Sequence, residues 1–117
     1  MLLSKEQILN ANDRKFEDVA VPEWGGSVRI AEMSGIARNE FEMSLIKEIG
    51  ADGIPVQDLS NISNKLLAVC IVDEDFKPLF TVEELSNKNN HILNRLYEIA
   101  EKMNAVSQGS VESAAKN

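Results

Sequence analysis

The chain is poor in the residues that build covalent and catalytic frameworks. Its 117 residues include one cysteine, one histidine, one tryptophan, one tyrosine and three prolines, and aromatic residues make up only 5%. A lone thiol, Cys70, forms neither an intrachain disulfide nor a multi-cysteine metal site, which suits a reducing compartment. The lone imidazole, His91, would have to act with Cys70, about twenty residues away, to make a nucleophile–base pair. Cys70 lies within the apolar run from Leu66 to Val72, where a thiol reads as inert packing. That run is the longest apolar stretch and falls far short of the roughly 20 residues that span a bilayer. At the start, Leu2 and Leu3 are followed at once by Ser4, Lys5, Glu6 and Gln7, so no secretory leader is expected either.

Positive charge is scarce as well. Twelve Lys and Arg stand against 19 Asp and Glu, a net charge of -7, and the resulting field repels phosphate backbones and anionic membrane surfaces. Nucleic acid and membrane are therefore not expected as partners. Neither Gly-x-Gly-x-x-Gly nor Gly-x-x-x-x-Gly-Lys-Ser/Thr occurs, so Gly25 and Gly26 read as turn residues and not as a phosphate cradle. Asp73-Glu74-Asp75 gathers three carboxylates but lacks the alternation, the turn glycine and the closing Glu of a calcium loop, and reads as a solvated turn. No catalytic, cofactor-binding or metal-binding residue is assigned.

What is present suits one folded domain. A hydrophobic fraction of 44% and a charged fraction of 26% are ordinary for globular proteins, and the length fits a single core. The domain is expected over residues 1–106. Residues 107–117 are small and polar and read as a disordered tail.

Ser4-Lys5-Glu6-Gln7 has the form of a capping box, with Leu3 and Ile8 as its hydrophobic staple, and predicts a helix from Lys5 to Asn10. Phe16 to Val21 and Ser27 to Met33 favour strands, and Pro22-Glu23-Trp24-Gly25-Gly26 between them predicts a β-hairpin whose reversal uses the paired glycines. Ser34 caps a helix expected to run to Glu48, with Ala37, Phe41, Leu45 and Ile49 as its apolar stripe. Gly50, Gly53 and Pro55 then mark a loop. The run Ile62–Val72 admits both helix and strand, and a buried helix from Ser60 to Ile71 is preferred. Asp73 to Pro78 forms a polar turn, and Thr81 and Glu84 repeat the capping box for a helix beginning near Val82. The clearest periodic signal is Ile92, Leu96, Ile99, Met103 and Val106, widened by Leu93 and Ala100, which marks the main core helix. The fold class is α+β: a mainly helical single domain with one N-terminal β-hairpin and four or five helices.

Trp24 has two readings. A tryptophan at a rigid hairpin tip is a typical binding anchor, because it covers much area at small entropic cost. Alternatively the hairpin folds back and tucks Trp24 into its own core. The helical faces of Ala37–Ile49 and Ile92–Val106 likewise suit a docking groove or, better in so small a domain, the core itself.

At the hairpin the residues also resemble a known family. Phe16-Glu17-Asp18-Val19-Ala20-Val21-Pro22-Glu23-Trp24-Gly25-Gly26-Ser27-Val28-Arg29-Ile30, followed by Gly35, Arg38 and Phe41-Glu42, is similar to the opening of the tail assembly chaperones of siphophages and related prophages. The run from Lys65 to Asp75, Leu79-Phe80, and Leu96 to Asn104 resemble the remainder, so the likeness covers roughly residues 15–106. Val-Pro-Glu-Trp-Gly-Gly is its most specific piece. The resemblance implies a non-enzymatic protein without cofactors that binds the long, helical, aggregation-prone tape measure protein in the host bacterial cytoplasm. Such a protein is absent from the finished virion. It also implies, for many members, a longer frameshifted form that recruits tail tube protein; Ala114-Ala115-Lys116-Asn117 is compatible with an A-rich slippery codon stretch. Pro22, Glu23, Trp24, Gly25 and Gly26 are the expected partner-binding residues. A minor structural tail or connector protein is the competing reading.

Overall fold

Local hydrogen-bond chemistry sets where most elements of this chain begin. The structure is a computed structural model and describes residues 1–57 and 61–105. The Ser4 hydroxyl accepts from the Gln7 amide at 3.2 Å, and the Ser4 amide donates to Gln7 Oε1 at 2.8 Å. Both halves of the capping box thus close at the head of helix α1, Lys5–Asn10, which buries none of its residues. The same box recurs at Thr81 and Glu84, ahead of helix α4, Val82–Ser86.

Strands β1, Phe16–Val21, and β2, Gly26–Ala31, pair antiparallel in unbroken register from Phe16↔Ala31 to Val21↔Gly26. Alternation puts Val19, Val21, Val28 and Ile30 on the face that meets the core. The reversal between the strands differs from a tight two-glycine turn. Pro22–Trp24 form a 3-10 turn that closes with the Gly25 amide donating to the Pro22 carbonyl at 3.0 Å. Only Gly25 takes a left-handed conformation (φ 81°), while Gly26 is already in β2. Nothing lies within 4 Å of where a Gly25 Cβ would stand, so backbone conformation, not space, requires glycine there.

Helix α2, Gly35–Ser44, starts on Ser34 as expected, its side chain accepting from the Ala37 amide. It does not run to Glu48. The Leu45 amide bonds back to the Glu42 carbonyl in a tightened last turn, and the Ser44 hydroxyl takes the Phe41 carbonyl. The chain then enters strand β3, Ile46–Ile49, which pairs antiparallel with β4, Pro55–Gln57. The segment read as a loop is the turn of this second hairpin: Gly53 (φ 81°) donates to the Gly50 carbonyl, and Asp52 Oδ1 accepts from the Ile54 amide. Phe41 and Leu45 of the anticipated stripe are buried, whereas Ile49 is 63% exposed. The four-residue spacing of the stripe was accidental at its last member, where β-branched Ile46 and Ile49 and the turn residues beyond them favour a strand.

The ambiguous run contains both structures. Helix α3, Ile62–Cys70, passes directly into strand β5, Ile71–Val72, so the preferred helix ends one residue early; its anticipated first residue, Ser60, lies outside the described residues. Strand β5 pairs antiparallel with β2 through Arg29↔Val72 and Ile30↔Ile71, giving a three-stranded sheet in the order β1-β2-β5. The turn after it is tied by Asp73, whose Oδ1 accepts from the amides of Asp75 at 2.8 Å and Lys77 at 3.0 Å. Phe76 (φ 63°) stands in this turn edge-on to Phe16, with Arg29 4.0 Å above the Phe16 ring. This cluster lies beside Ala31 and Val72, on the sheet face that the helices do not cover.

Helix α5, Asn90–Met103, opens on Asn89, whose Oδ1 accepts from the His91 and Ile92 amides. Its stripe is realised: Ile92, Leu93, Leu96 and Ala100 are buried, with Ile99 and Met103 half-buried beside them. Val106 and the expected tail 107–117 lie outside the described residues. The core places α3 and α5 against each other and against the inner face of the sheet, with α2 and α4 alongside α3. Burial of each large side chain contributes on the order of 1.5–3 kcal/mol before ordering entropy is subtracted.

Asn104 joins these parts. Its Oδ1 accepts from the Met33 amide at 2.8 Å, its Nδ2 donates to the Ala100 carbonyl and the Cys70 sulfur, and its own carbonyl accepts from Arg38 at 3.1 Å. In urea unfolding, Phe41→Ala should cost about 3–5 kcal/mol through a core cavity. Asn104→Ala should cost about 1–3 kcal/mol through its orphaned partners. Ser4→Ala should leave the midpoint within about 0.5 kcal/mol of wild type, because α1 contributes nothing to the core. A Ser4→Ala loss as large as that of Asn104→Ala would contradict this division.

Candidate partner-binding site

The hairpin tip is held by its neighbours and does not project freely. Trp24 is half-buried and packs against the core, and Lys88 Nζ sits 5.9 Å above its ring. Glu23 forms a forked ion pair with Arg95, both contacts 3.3 Å. Pro22, Gly25 and Gly26 are exposed. Of the two readings of Trp24, the fold-back describes its position, and the exposed part of the ring stays available to a partner. The Glu23 carboxyl is held below its ordinary value of 4.5, first by a hydrogen bond from its own backbone and then by Arg95.

The tip therefore meets the junction between α4 and the start of α5, an arrangement that hairpin residues alone do not reveal. Lys88 and Arg95 belong to the same surface as Trp24, yet sequence reasoning placed neither there. The available signal was electrostatic: residues 85–97 contain no Asp or Glu in a chain that carries 19.

Cys70 and His91 are not brought together. The Cys70 thiol is buried in the core and accepts from Asn104 Nδ2 at 3.4 Å. Burial pushes it up to about 12. His91 stands exposed in the first turn of α5, thirteen residues before Asn104 and so roughly 20 Å away along the helix axis. A thiol that remains protonated and sealed from solvent is not an attacking group.

Within the acidic triplet, Asp73 is occupied as the acceptor of its own turn. The Lys77 amide, before any other cause, lowers its carboxyl from the ordinary 3.8. Asp18 is lowered likewise, first by its hydrogen bond to Arg29, which makes contacts of 2.8 and 3.1 Å. An open cleft of about 710 Å³ lies between residues 13–14, the start of α2 and the end of α5. Its arginines are already engaged, Arg14 with the Glu32 carbonyl and Arg38 with Glu42 and Asn104. Among the described residues no helix is long and apolar enough to cross a membrane.

No protein-family model and no curated protein matches the sequence. Among solved structures, the chain is similar to the tail assembly chaperone of bacteriophage HK97. The TM-score is 0.53 at 21% identity, over 88% of this chain and 95% of that one. At that identity the likeness shows a shared fold, and it agrees with the family resemblance drawn from the hairpin and α3–β5 residues.

Two measurements test the site's chemistry. In the native chain at about pH 8, thiol reagents should modify Cys70 at least about a hundredfold more slowly than in urea-unfolded chain; equal rates would show the core to be open. Asp18, Glu23 and Asp73 have folded-state values below their ordinary ones. Their contribution to stability is therefore complete above about pH 5 and is lost as pH falls through about 4 and below. Thermal melting should accordingly fall between pH 5 and pH 3, and less steeply in Asp73→Asn.

Proposed function

We propose that this chain is a tail assembly chaperone that binds the tape measure protein during tail morphogenesis and performs no catalytic step. The observation that carries this reading is the fold shared with the HK97 tail assembly chaperone across 95% of that protein. The Val21-Pro22-Glu23-Trp24-Gly25-Gly26 run supports it independently of the fold.

The physical role follows from charge and shape. A client with long apolar helix faces aggregates unless those faces are covered. A bound acidic domain adds net negative charge to the complex and keeps complexes apart. The proposed contact is centred on Pro22, Glu23, Trp24, Gly25 and Gly26. Trp24 offers rigid aromatic area there, already partly desolvated by its packing. Recruitment of tail tube protein, through a longer frameshifted form, belongs to the same proposal, as do action in the host cytoplasm and absence from the mature virion.

Co-expression with the tape measure protein encoded in the same gene cluster provides the test. The client should become soluble and co-purify with this chain, and Trp24→Ala, folded normally, should lower its recovery by about fivefold or more. Absence of any co-purification would reject the client. Stoichiometric recovery of this chain from purified virions by mass spectrometry would instead favour the minor structural tail or connector protein.

A further inference from the structure

In a chain of net charge -7, the surface around Trp24 has the opposite character. From Leu85 to Tyr97 there is no carboxylate, while Lys88, Arg95 and the only histidine, His91, all fall in this stretch. Fold geometry turns this sequence feature into a surface. The hairpin tip lands on the stretch, Trp24 beneath Lys88 and Glu23 against Arg95. Ser86, Asn87, Lys88, Asn89, Asn90 and His91 are all exposed, so the corner between α4 and α5 is open to a partner.

The charges can be followed individually. Glu23 offsets Arg95 through an exposed pair of the kind that exchanges readily with competing carboxylates. Lys88 forms no ion pair among the described residues, and its ammonium stands over the Trp24 ring. Glu83 and Glu84 stand in the first turn of the five-residue α4, and Glu84, four residues before Lys88, is tied into the Thr81 capping box. The surface thus holds a lysine outside any ion pair among the described residues, beside the half-exposed tryptophan.

We infer that the hairpin tip and the α4–α5 corner form one docking surface for an acidic segment of the client. An apolar residue of that segment covers Trp24 while neighbouring carboxylates face Lys88 and Arg95. This rests on the client-binding reading above and adds the polarity of the contact, which is the reverse of what the net charge of the chain would select. Charge complementarity at such a rim acts mainly on partner choice and encounter rate. The acidic remainder of the domain repels the same segment and so confines it to this corner.

Charge reversal decides the matter, because the sign of the effect differs between the alternatives. Lys88→Glu should lower recovery of the co-expressed tape measure protein by about five- to tenfold, with unchanged thermal melting, and Lys88→Gln should lower it less. Lys5→Glu, on exposed α1, changes net charge equally and should leave recovery unaltered. Wild-type recovery should fall as salt rises, and the Lys88→Glu variant should lose that dependence. Equal or greater recovery with folded Lys88→Glu, or an equal loss with Lys5→Glu, overturns the inference while leaving the chaperone reading intact. Retention of nucleic acid in place of protein at this surface overturns it as well. If wild type recovers no client at all, the chaperone reading falls and the inference falls with it.

Discussion

The fold depends on the seam where α3 and α5 pack together across the inner face of the sheet. Leu66 and Leu67 from one helix and Leu96 and Ala100 from the other have no solvent exposure, and α3 gives way to β5 without an intervening loop. Seating the helix therefore also seats the strand, and the Ile30↔Ile71 pairing that closes the sheet follows from helix packing. Asn104 fixes the far end of the seam, linking the α5 terminus to Cys70, Met33 and Arg38. A polar side chain with several partners is tolerated at this half-buried place because each of its bonds replaces one that water would have made.

The hairpin tip is secondary to that seam. Val21 anchors one end of the turn in the core, and α5, held by its buried stripe, presents Arg95 to Glu23. The tip therefore inherits its position from helix packing, and a turn that looks autonomous in sequence has half of its surroundings supplied by residues about seventy positions away. This explains why the candidate site was only partly legible. Pro22, Gly25 and Trp24 announce a turn with an aromatic residue, but the cations beside them come from a segment that sequence proximity cannot connect to the hairpin.

Legibility elsewhere followed the range of the interactions. Both capping boxes and the Ser34 cap are contacts within a few residues, and the starts of the helices that they open were placed correctly. The α5 stripe was equally clear, because six apolar positions on one face of the helix leave little freedom. The second hairpin was hidden for the opposite reason. Ala37, Phe41, Leu45 and Ile49 kept helical spacing by coincidence, and the last turn of α2 is ended by Ser44 and Leu45, neither of them a strong breaker in sequence. The Ile62–Val72 run resisted assignment because one apolar stretch serves two structures, helix then strand, and the half-buried Ala68 and Val69 are as apolar as the buried Leu66, Leu67 and Cys70, which erases the periodicity that would divide them.

Apolar surface that the core does not use is concentrated in two places. Met1, Leu2, Leu3, Ile8 and Leu9 are exposed on and before α1, and Ile36, Met43, Ile49, Ile54 and Val56 on α2 and the second hairpin. Helix α1 shows how a helix can be specified without packing, since its capping box satisfies orphan amides locally while its side chains stay in water. Isolated six-residue helices are marginal in water, so this element is stable in proportion to whatever covers it. The same holds for the β3–β4 pair, a two-stranded unit outside the main sheet. Among the described residues neither contributes to the core cluster, whereas Trp24 packs against it. A surface braced in this way loses less conformational entropy on binding than one that must first be ordered, which is the physical advantage the hairpin tip holds over α1 and the second hairpin.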